Sequence, residues 1–251
     1  MGNWLALVIG NSRSHWALFE DHTLITAWNS IHLSTPVQPN QLPLEILPAQ
    51  LAINIAHNLP IYMASVVTKQ TTLWQSYKNL EQITLKDIPI QNIYPTLGID
   101  RALAIWGAGE TYGYPCLVID GGTALTFTGV DGDKTLVGGA IVPGIRTQLR
   151  SLDRATAALP EITLPKTLPT RWANNTSEAI ASGVIHTVIS GTQAFIDNWQ
   201  KKYPNSSIII TGGDGEFLAP YLQANSKTAI DNNIIFQGIK LFHASSFIGN
   251  S

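Results

Sequence analysis

The stretch that decides the fold is residues 117–129, "LVIDGGTALTFTG". An apolar segment reaches a single carboxylate, Asp120, then two glycines and a threonine, after which a second apolar segment begins. A short apolar run bounded by turn residues is typical of a buried β-strand. Because a carboxylate at the end of such a strand is costly to bury without a positive partner, we expect Asp120 to face a ligand.

The same design occurs near the amino terminus. Residues 7–21 read "LVIGNSRSHWALFED", and residues 117–131 read "LVIDGGTALTFTGVD". Each copy is an apolar strand, a small-residue turn and a second strand, which indicates an internal repeat. Strands and helices interleave around both copies, the pattern of an α/β protein. We predict two similar lobes, residues 1–110 and 111–251, whose glycine turns face each other across a nucleotide-binding cleft.

Composition excludes several classes of protein. The chain has 251 residues, of which 45% are apolar, enough for a large core. Fifteen Lys and Arg balance 17 Asp and Glu without a basic run, so we expect no nucleic-acid partner. A single cysteine allows neither an internal disulfide nor a cysteine-based zinc site. The first apolar segment is too short for a signal peptide or a membrane span, so we expect a cytoplasmic protein without a membrane partner.

Four glycine-containing segments have a structural interpretation, a functional one, or both. "DGGT" at 120–123 is either a hairpin turn or a site where main-chain N–H groups and a carboxylate receive a phosphate and its cation, and we favour the site. In "GIDR" at 98–101, Asp100 either caps a helix or takes a proton from an alcohol beside the anion-binding Arg101. "TGGDG" at 211–215 suits close approach to a ligand, whereas "VGGAIVPG" at 137–144 favours a structural role.

The ordered set "IGNS", "SVV", "GIDR", "DGGTALT", "GGAIVPG", "NTSEAIASG" and "TGGDG" resembles the type III pantothenate kinase family. The resemblance covers nearly the whole chain. It implies two ribonuclease H-like lobes of the actin, sugar kinase and Hsp70 superfamily around a nucleotide cleft. It also implies ATP-dependent phosphorylation of pantothenate, the first step of coenzyme A biosynthesis. The family members are homodimers that use Mg²⁺ or another divalent cation together with K⁺ or NH₄⁺.

The resemblance also implies roles for individual residues. Asp100 matches the general base, and Asp120 matches the ligand of the monovalent cation. Substrate contacts are implied for Tyr94, Gly98, Ile99, Arg101 and Thr176. ATP contacts are implied for a first loop and a second one, comprising Val8, Ile9, Gly10, Asn11, Ser12, Arg13, Ser14 and His15, followed by Gly122 and Thr123.

One position departs from the family pattern. The first loop of the family begins with Asp, in "D-x-G-N-T", and Val8 occupies that place here. Since that Asp helps to hold the metal and the phosphates, Val8 motivates a second hypothesis, a regulatory or accessory binding protein with weakened catalysis. A third hypothesis is another kinase or phosphatase of the superfamily that acts on a sugar or an acyl phosphate.

Overall fold

The computed structural model describes residues 2–52, 58–156, 158–224 and 227–248. The strands are β1 (Asn3–Ile9), β2 (Ser14–Glu20), β3 (Thr23–Ser30), β4 (Ile61–Ser65), β5 (Leu80–Gln82), β6 (Cys116–Gly121), β7 (Ala124–Val130), β8 (Leu136–Pro143), β9 (Ser207–Thr211) and β10 (Thr228–Ile230). The helices are α1 (Ala49–Ala52), α2 (Thr68–Trp74), α3 (Ile99–Tyr112), α4 (Ile145–Ala155), α5 (Thr176–Lys202), α6 (Gly215–Leu218) and α7 (Ile234–Ile248).

The strands form two five-stranded sheets with the same topology. The first has the order β3-β2-β1-β4-β5, and the second, taken in the equivalent direction, has the order β8-β7-β6-β9-β10. In each sheet the first three strands are antiparallel neighbours, and the remaining two continue parallel to the central strand. The two segments predicted as a repeat are therefore β1-β2 and β6-β7, which have equivalent places in the two sheets.

The central strands explain the apolar runs in the sequence. β1 and β6 each have neighbours on both sides, and their side chains are buried almost throughout. A strand covered on both faces reads as a continuous apolar run. In β6 this burial is interrupted only at Asp120, which is half-buried. The carboxylate therefore lies where the buried strand opens toward its turn.

The chain divides into two compact units, Met1–Gly107 with Asn233–Ser251, and Ala108–Asn232. The sequence analysis placed everything after residue 110 in the second lobe, whereas here α7 groups with the first unit. The physical reason is an aromatic contact with the first sheet. His243 of α7 stacks on Trp4 of β1, with ring centroids 4.3 Å apart.

The long helix α5 belongs to the second unit. Asn175 caps it by accepting a hydrogen bond from the main-chain N–H of Glu178 at 3.0 Å. Among the described residues, α5 is long and apolar enough to cross a membrane by length and composition alone. Helices in the core of globular proteins have the same length and composition. Ile185 and Ile196 of α5 are fully buried in the hydrophobic core of the unit.

Candidate active site

The first small-residue turn joins β1 to β2 in the first unit. Gly10 closes it by donating its N–H to the carbonyl of Arg13 at 3.0 Å. The side chains of Asn11, Ser12 and Arg13 are exposed. Those of Val8, Ile9 and Ser14 are buried, whereas Gly10 and His15 are partly exposed. Of the eight predicted ATP contacts in this loop, three therefore have side chains at the surface, and the buried three are paired strand residues of the sheet.

Val8 is an integral part of the sheet. It lies opposite His15 of β2 and beside Ala64 of β4, and it is 4% exposed. Nδ1 of His15 donates to Oδ1 of Asn29 at 2.6 Å. Burial lowers the pKa of His15, which favours the neutral imidazole. An uncharged cross-strand pair thus occupies the place where the family pattern has a carboxylate.

Asp100 lies in the first turn of α3. The helix begins at Ile99, before Asp100, so Asp100 is not the residue that caps it. Oδ1 of Asp100 accepts a hydrogen bond from the main-chain N–H of Arg101 at 2.8 Å. Burial raises the pKa of Asp100, and the N–H and charge of Arg101 together with His15 offset only part of that rise. A raised pKa brings a carboxylate closer to the basicity that proton abstraction needs.

Arg101 and Tyr94 form a pair beside Asp100. Arg101 is 8% exposed, and its Nη1 donates to the hydroxyl of Tyr94 at 3.1 Å. Tyr94 is 40% exposed, so the pair presents its phenol to solvent. The structure therefore brings together three of the predicted residues, Tyr94, Asp100 and Arg101.

A groove of about 350 Å³ lies at the start of α3. Its walls are the carboxyl ends of the parallel strands β4 and β5 and the loop that leads into α3. Gly98 lies in this wall, and a side chain there would overlap Oδ1 of Asp100. Ligands of α/β sheets bind outside the carboxyl ends of parallel strands, so the groove is a candidate substrate pocket.

The second small-residue turn, Gly121–Thr123, lies in the second unit. Two other segments bond directly to it. The N–H of Asp214 donates to the carbonyl of Gly121 at 2.9 Å, and the N–H of Gly144 donates to the carbonyl of Thr123 at 2.9 Å. Thr147 adds a hydroxyl bond to the same carbonyl of Thr123 at 2.8 Å. "TGGDG" and the end of "VGGAIVPG" thus meet at "DGGT", so the second of these segments supports the site as well as the fold.

Sequence reasoning missed two residues at this turn. Nε of Arg146, in α4, donates to Oδ1 of Asp214 at 2.8 Å. Asp214 was visible as the acidic residue of "TGGDG", but no local pattern connects it to Arg146. The remaining predicted contact, Thr176, is the first residue of α5 and is exposed.

Comparison with known proteins identifies the family. A profile of the family described as type III pantothenate kinase matches residues 4–198. The chain belongs to the type III pantothenate kinase family. A type III pantothenate kinase from a Nostoc species is 46% identical, over 94% of this chain and 93% of that protein. The family predicted from the seven sequence motifs is thus confirmed.

Solved structures confirm the fold class. A Campylobacter jejuni protein named as a Baf family transcriptional activator has a TM-score of 0.64 at 21% identity, over 97% of this chain and 99% of its own. A Sinorhizobium meliloti protein named as a 2-dehydro-3-deoxygalactonokinase has a TM-score of 0.59 at 12% identity, over 96% of both chains. At these identities the likeness shows the fold alone. The two five-stranded sheets of this chain therefore have the same fold as these proteins, in agreement with the α/β fold class that the resemblance implied.

Proposed function

We propose that this chain is an ATP-dependent pantothenate kinase that forms 4′-phosphopantothenate, the first intermediate of coenzyme A biosynthesis. The observation that carries the proposal is Asp100, a carboxylate of raised pKa at the start of α3, in a chain of the type III pantothenate kinase family. Asp100 accepts the proton of the terminal hydroxyl of pantothenate as the phosphoryl group arrives. Tyr94 and Arg101 hold the substrate, whose carboxylate suits an arginine partner.

The two small-residue turns serve the nucleotide. Exposed Asn11, Ser12 and Arg13 in the first turn, and Gly122 and Thr123 in the second, are the proposed contacts with the ATP phosphates. Phosphoryl transfer through a loose transition state depends mainly on positioning and on neutralising charge. Turns rich in main-chain N–H groups and hydroxyls supply both. Thr176 is proposed as a further contact with pantothenate.

The proposed cations fit the chemistry of these residues. Asp120 offers a half-buried carboxylate, an oxygen ligand of the kind that K⁺ and other hard cations accept. Within the described part of the chain, no three His, Cys, Asp or Glu side chains group as a metal site. Mg²⁺ in kinases is held by one or two carboxylates together with the substrate phosphates. A divalent cation that arrives bound to ATP therefore needs no group of three protein ligands. When bound, it neutralises charge on the phosphates.

An assay of ADP release tests the proposed function. We expect release that depends on pantothenate and increases when K⁺ replaces Na⁺. Omitting pantothenate measures ATP hydrolysis alone, and glucose and acetate replace pantothenate in parallel reactions. Release that is independent of pantothenate in all conditions would favour an accessory binding protein, and faster turnover of glucose or acetate would identify a different kinase. A kinase that draws on cellular ATP fits the proposed location in the cytoplasm.

The proposed functional unit is a homodimer. In the second unit, β8 forms the edge of its sheet and carries the exposed apolar side chains of Val137, Ile141 and Val142. Trp172 in the loop before α5 is 91% exposed. An uncovered edge strand with apolar residues is a site for pairing with another chain. The proposed partner of this edge strand is a second copy of the same chain.

Ile141→Glu should dissociate the dimer. A carboxylate at a position that is 61% exposed in one chain would be desolvated against the second copy, whereas the isolated chain would tolerate it. Light scattering after size exclusion should give the mass of one 27.3-kDa chain for the variant and twice that mass for the unaltered protein. Ile25→Glu is the matched control, because Ile25 is 50% exposed on β3, the equivalent edge strand of the first sheet. A monomeric unaltered protein, or dissociation by Ile25→Glu instead, would contradict this interface.

A further inference from the structure

Arg146 and Asp214 form an ion pair of unequal exposure in the second unit. The side chain of Asp214 is 4% exposed, whereas that of Arg146 is 58% exposed. Nε of Arg146 donates to Oδ1 of Asp214 at 2.8 Å. Burying a carboxylate without a positive partner lowers stability. The ion pair therefore keeps Nε of the Arg146 guanidinium next to Asp214.

Both members of the ion pair belong to segments bonded to the turn Gly121–Thr123. Asp214 donates its N–H to Gly121, and Gly144, the residue that precedes α4, donates its N–H to Thr123. Arg146 is the second residue of α4, which is 11 residues long. Arg146 is therefore connected to this turn both through Gly144, at the start of its own helix, and through its ion pair with Asp214. The turn carries the proposed ATP contacts Gly122 and Thr123.

The geometry of the pair leaves the outer end of the guanidinium for another partner. Asp214 engages Nε, and among the described residues the structure gives the two Nη groups of Arg146 no hydrogen-bond acceptor. A guanidinium offers several N–H donors in a rigid fork that matches phosphate oxygens. The helix N-terminus beside it has no side-chain cap, and its N–H groups add positive potential.

We propose that Arg146, held by Asp214, binds the phosphate groups of the nucleotide at the Gly121–Thr123 turn. This inference rests on the proposed function, since it takes the nucleotide to be ATP. Arg146 contacts the phosphates directly, and Asp214 is a positioning residue that fixes the orientation of the guanidinium.

Calorimetric binding of ADP and of adenosine, in the absence of pantothenate, tests the proposal. Loss of a charged hydrogen-bonding partner should weaken ADP binding by about 10- to 100-fold in Arg146→Gln. Adenosine, which lacks phosphates, should bind as it does to the unaltered protein. Arg146→Lys keeps the charge but loses the forked set of N–H donors. Its affinity for ADP should therefore lie between that of Arg146→Gln and that of the unaltered protein. Arg150→Gln is the matched control, because Arg150 lies one turn further along α4 and is exposed; it should change neither affinity.

The double variant Arg146→Gln/Asp214→Asn separates binding from folding. Arg146→Gln alone leaves the Asp214 carboxylate buried without its partner, whereas the double variant removes both charges. Urea unfolding followed by circular dichroism checks that the double variant is folded. Its affinity for ADP should be as low as that of Arg146→Gln. Asp214→Asn alone should raise the KM for ATP without changing the KM for pantothenate, which a purely structural role would not do.

The outcomes distinguish this inference from the proposed function. Unchanged ADP affinity in folded Arg146→Gln would overturn the inference, as would an equal loss of adenosine binding, which would place Arg146 at the base instead. An unaltered protein that binds ADP but releases none with pantothenate would overturn the proposed function. In that case, selective loss of ADP binding in Arg146→Gln would still support Arg146 as a phosphate-binding residue.

Discussion

Asp100→Asn lowers kcat by about 10²- to 10⁴-fold, the usual contribution of a positioned general base, and leaves the protein folded. The amide has nearly the same shape, and its oxygen can still accept the hydrogen bond that Asp100 receives from the N–H of Arg101. It cannot accept the proton of the substrate hydroxyl. The coupled assay of ADP release, at saturating ATP and pantothenate, measures the loss.

The same substitution should not lower the free energy of unfolding. Burial raises the pKa of Asp100, so the ionised carboxylate is less favourable in the folded protein than in the unfolded chain. That cost is present at neutral pH and disappears as the pH falls and the folded carboxyl becomes protonated. Asn never carries the charge, so urea unfolding at pH 7 should show a variant at least as stable as the unaltered protein. Active sites commonly trade stability for function in this way.

The pH dependence of the rate is a second measure of the same group. The base works only when ionised, so kcat/KM should fall as the pH is lowered through the pKa of Asp100. Because that pKa is raised, the fall should be centred above the ordinary value of 3.8. Asp21→Asn, in the exposed turn between β2 and β3, is the control and should leave rate and pH profile unchanged. Wild-type rates in Asp100→Asn would remove Asp100 from the role of base.

Much of the fold follows from short-range sequence patterns. β6 and β7 are visible because an apolar run, a glycine turn and a second run lie within 13 residues, 117–129. The repeat of that design gave the equivalence of the two sheets. The helix for which Asp100 was one candidate cap is α3, which begins one residue earlier, at Ile99. These features depend on neighbours in the chain, which is the information that a single sequence displays.

The contacts between distant segments could not be predicted in the same way. Arg146 and Asp214 are 68 residues apart, and neither position has a pattern that selects the other. Pro143–Gly144 looked structural, yet Gly144 bonds to Thr123 because β7 and β8 bring their ends together. The stacking of His243 on Trp4 likewise joins the two ends of the chain. Register and packing decide such contacts, and sequence spacing does not encode them.

Gly212→Ala should destabilise the protein strongly, because Gly212 combines a restricted backbone conformation with close packing against the second turn. The φ angle of Gly212 is +86°, a conformation that L-residues rarely adopt. A Cβ there would overlap Oδ1 of Asp120 and lie 2.7 Å from the carbonyl carbon of Gly121. Backbone strain of this kind costs about 1–3 kcal/mol, and the steric overlap adds to it. We expect the free energy of unfolding to fall by about 2 kcal/mol or more.

The next residue supplies the matched control for Gly212→Ala. A Cβ on Gly213 would have no atom within 4 Å, and Gly213 lacks a positive φ in the restricted range. Gly213→Ala should therefore change the free energy of unfolding by less than about 1 kcal/mol. Urea unfolding of both variants, followed by circular dichroism, compares them directly. Whatever remains folded of Gly212→Ala should bind ADP weakly, because Asp120 and the Gly121–Thr123 turn must move to admit the methyl group. Equal stability of the two variants would show that "TGGDG" does not pack closely against "DGGT". The proposal that these two segments together form the nucleotide site would then be wrong.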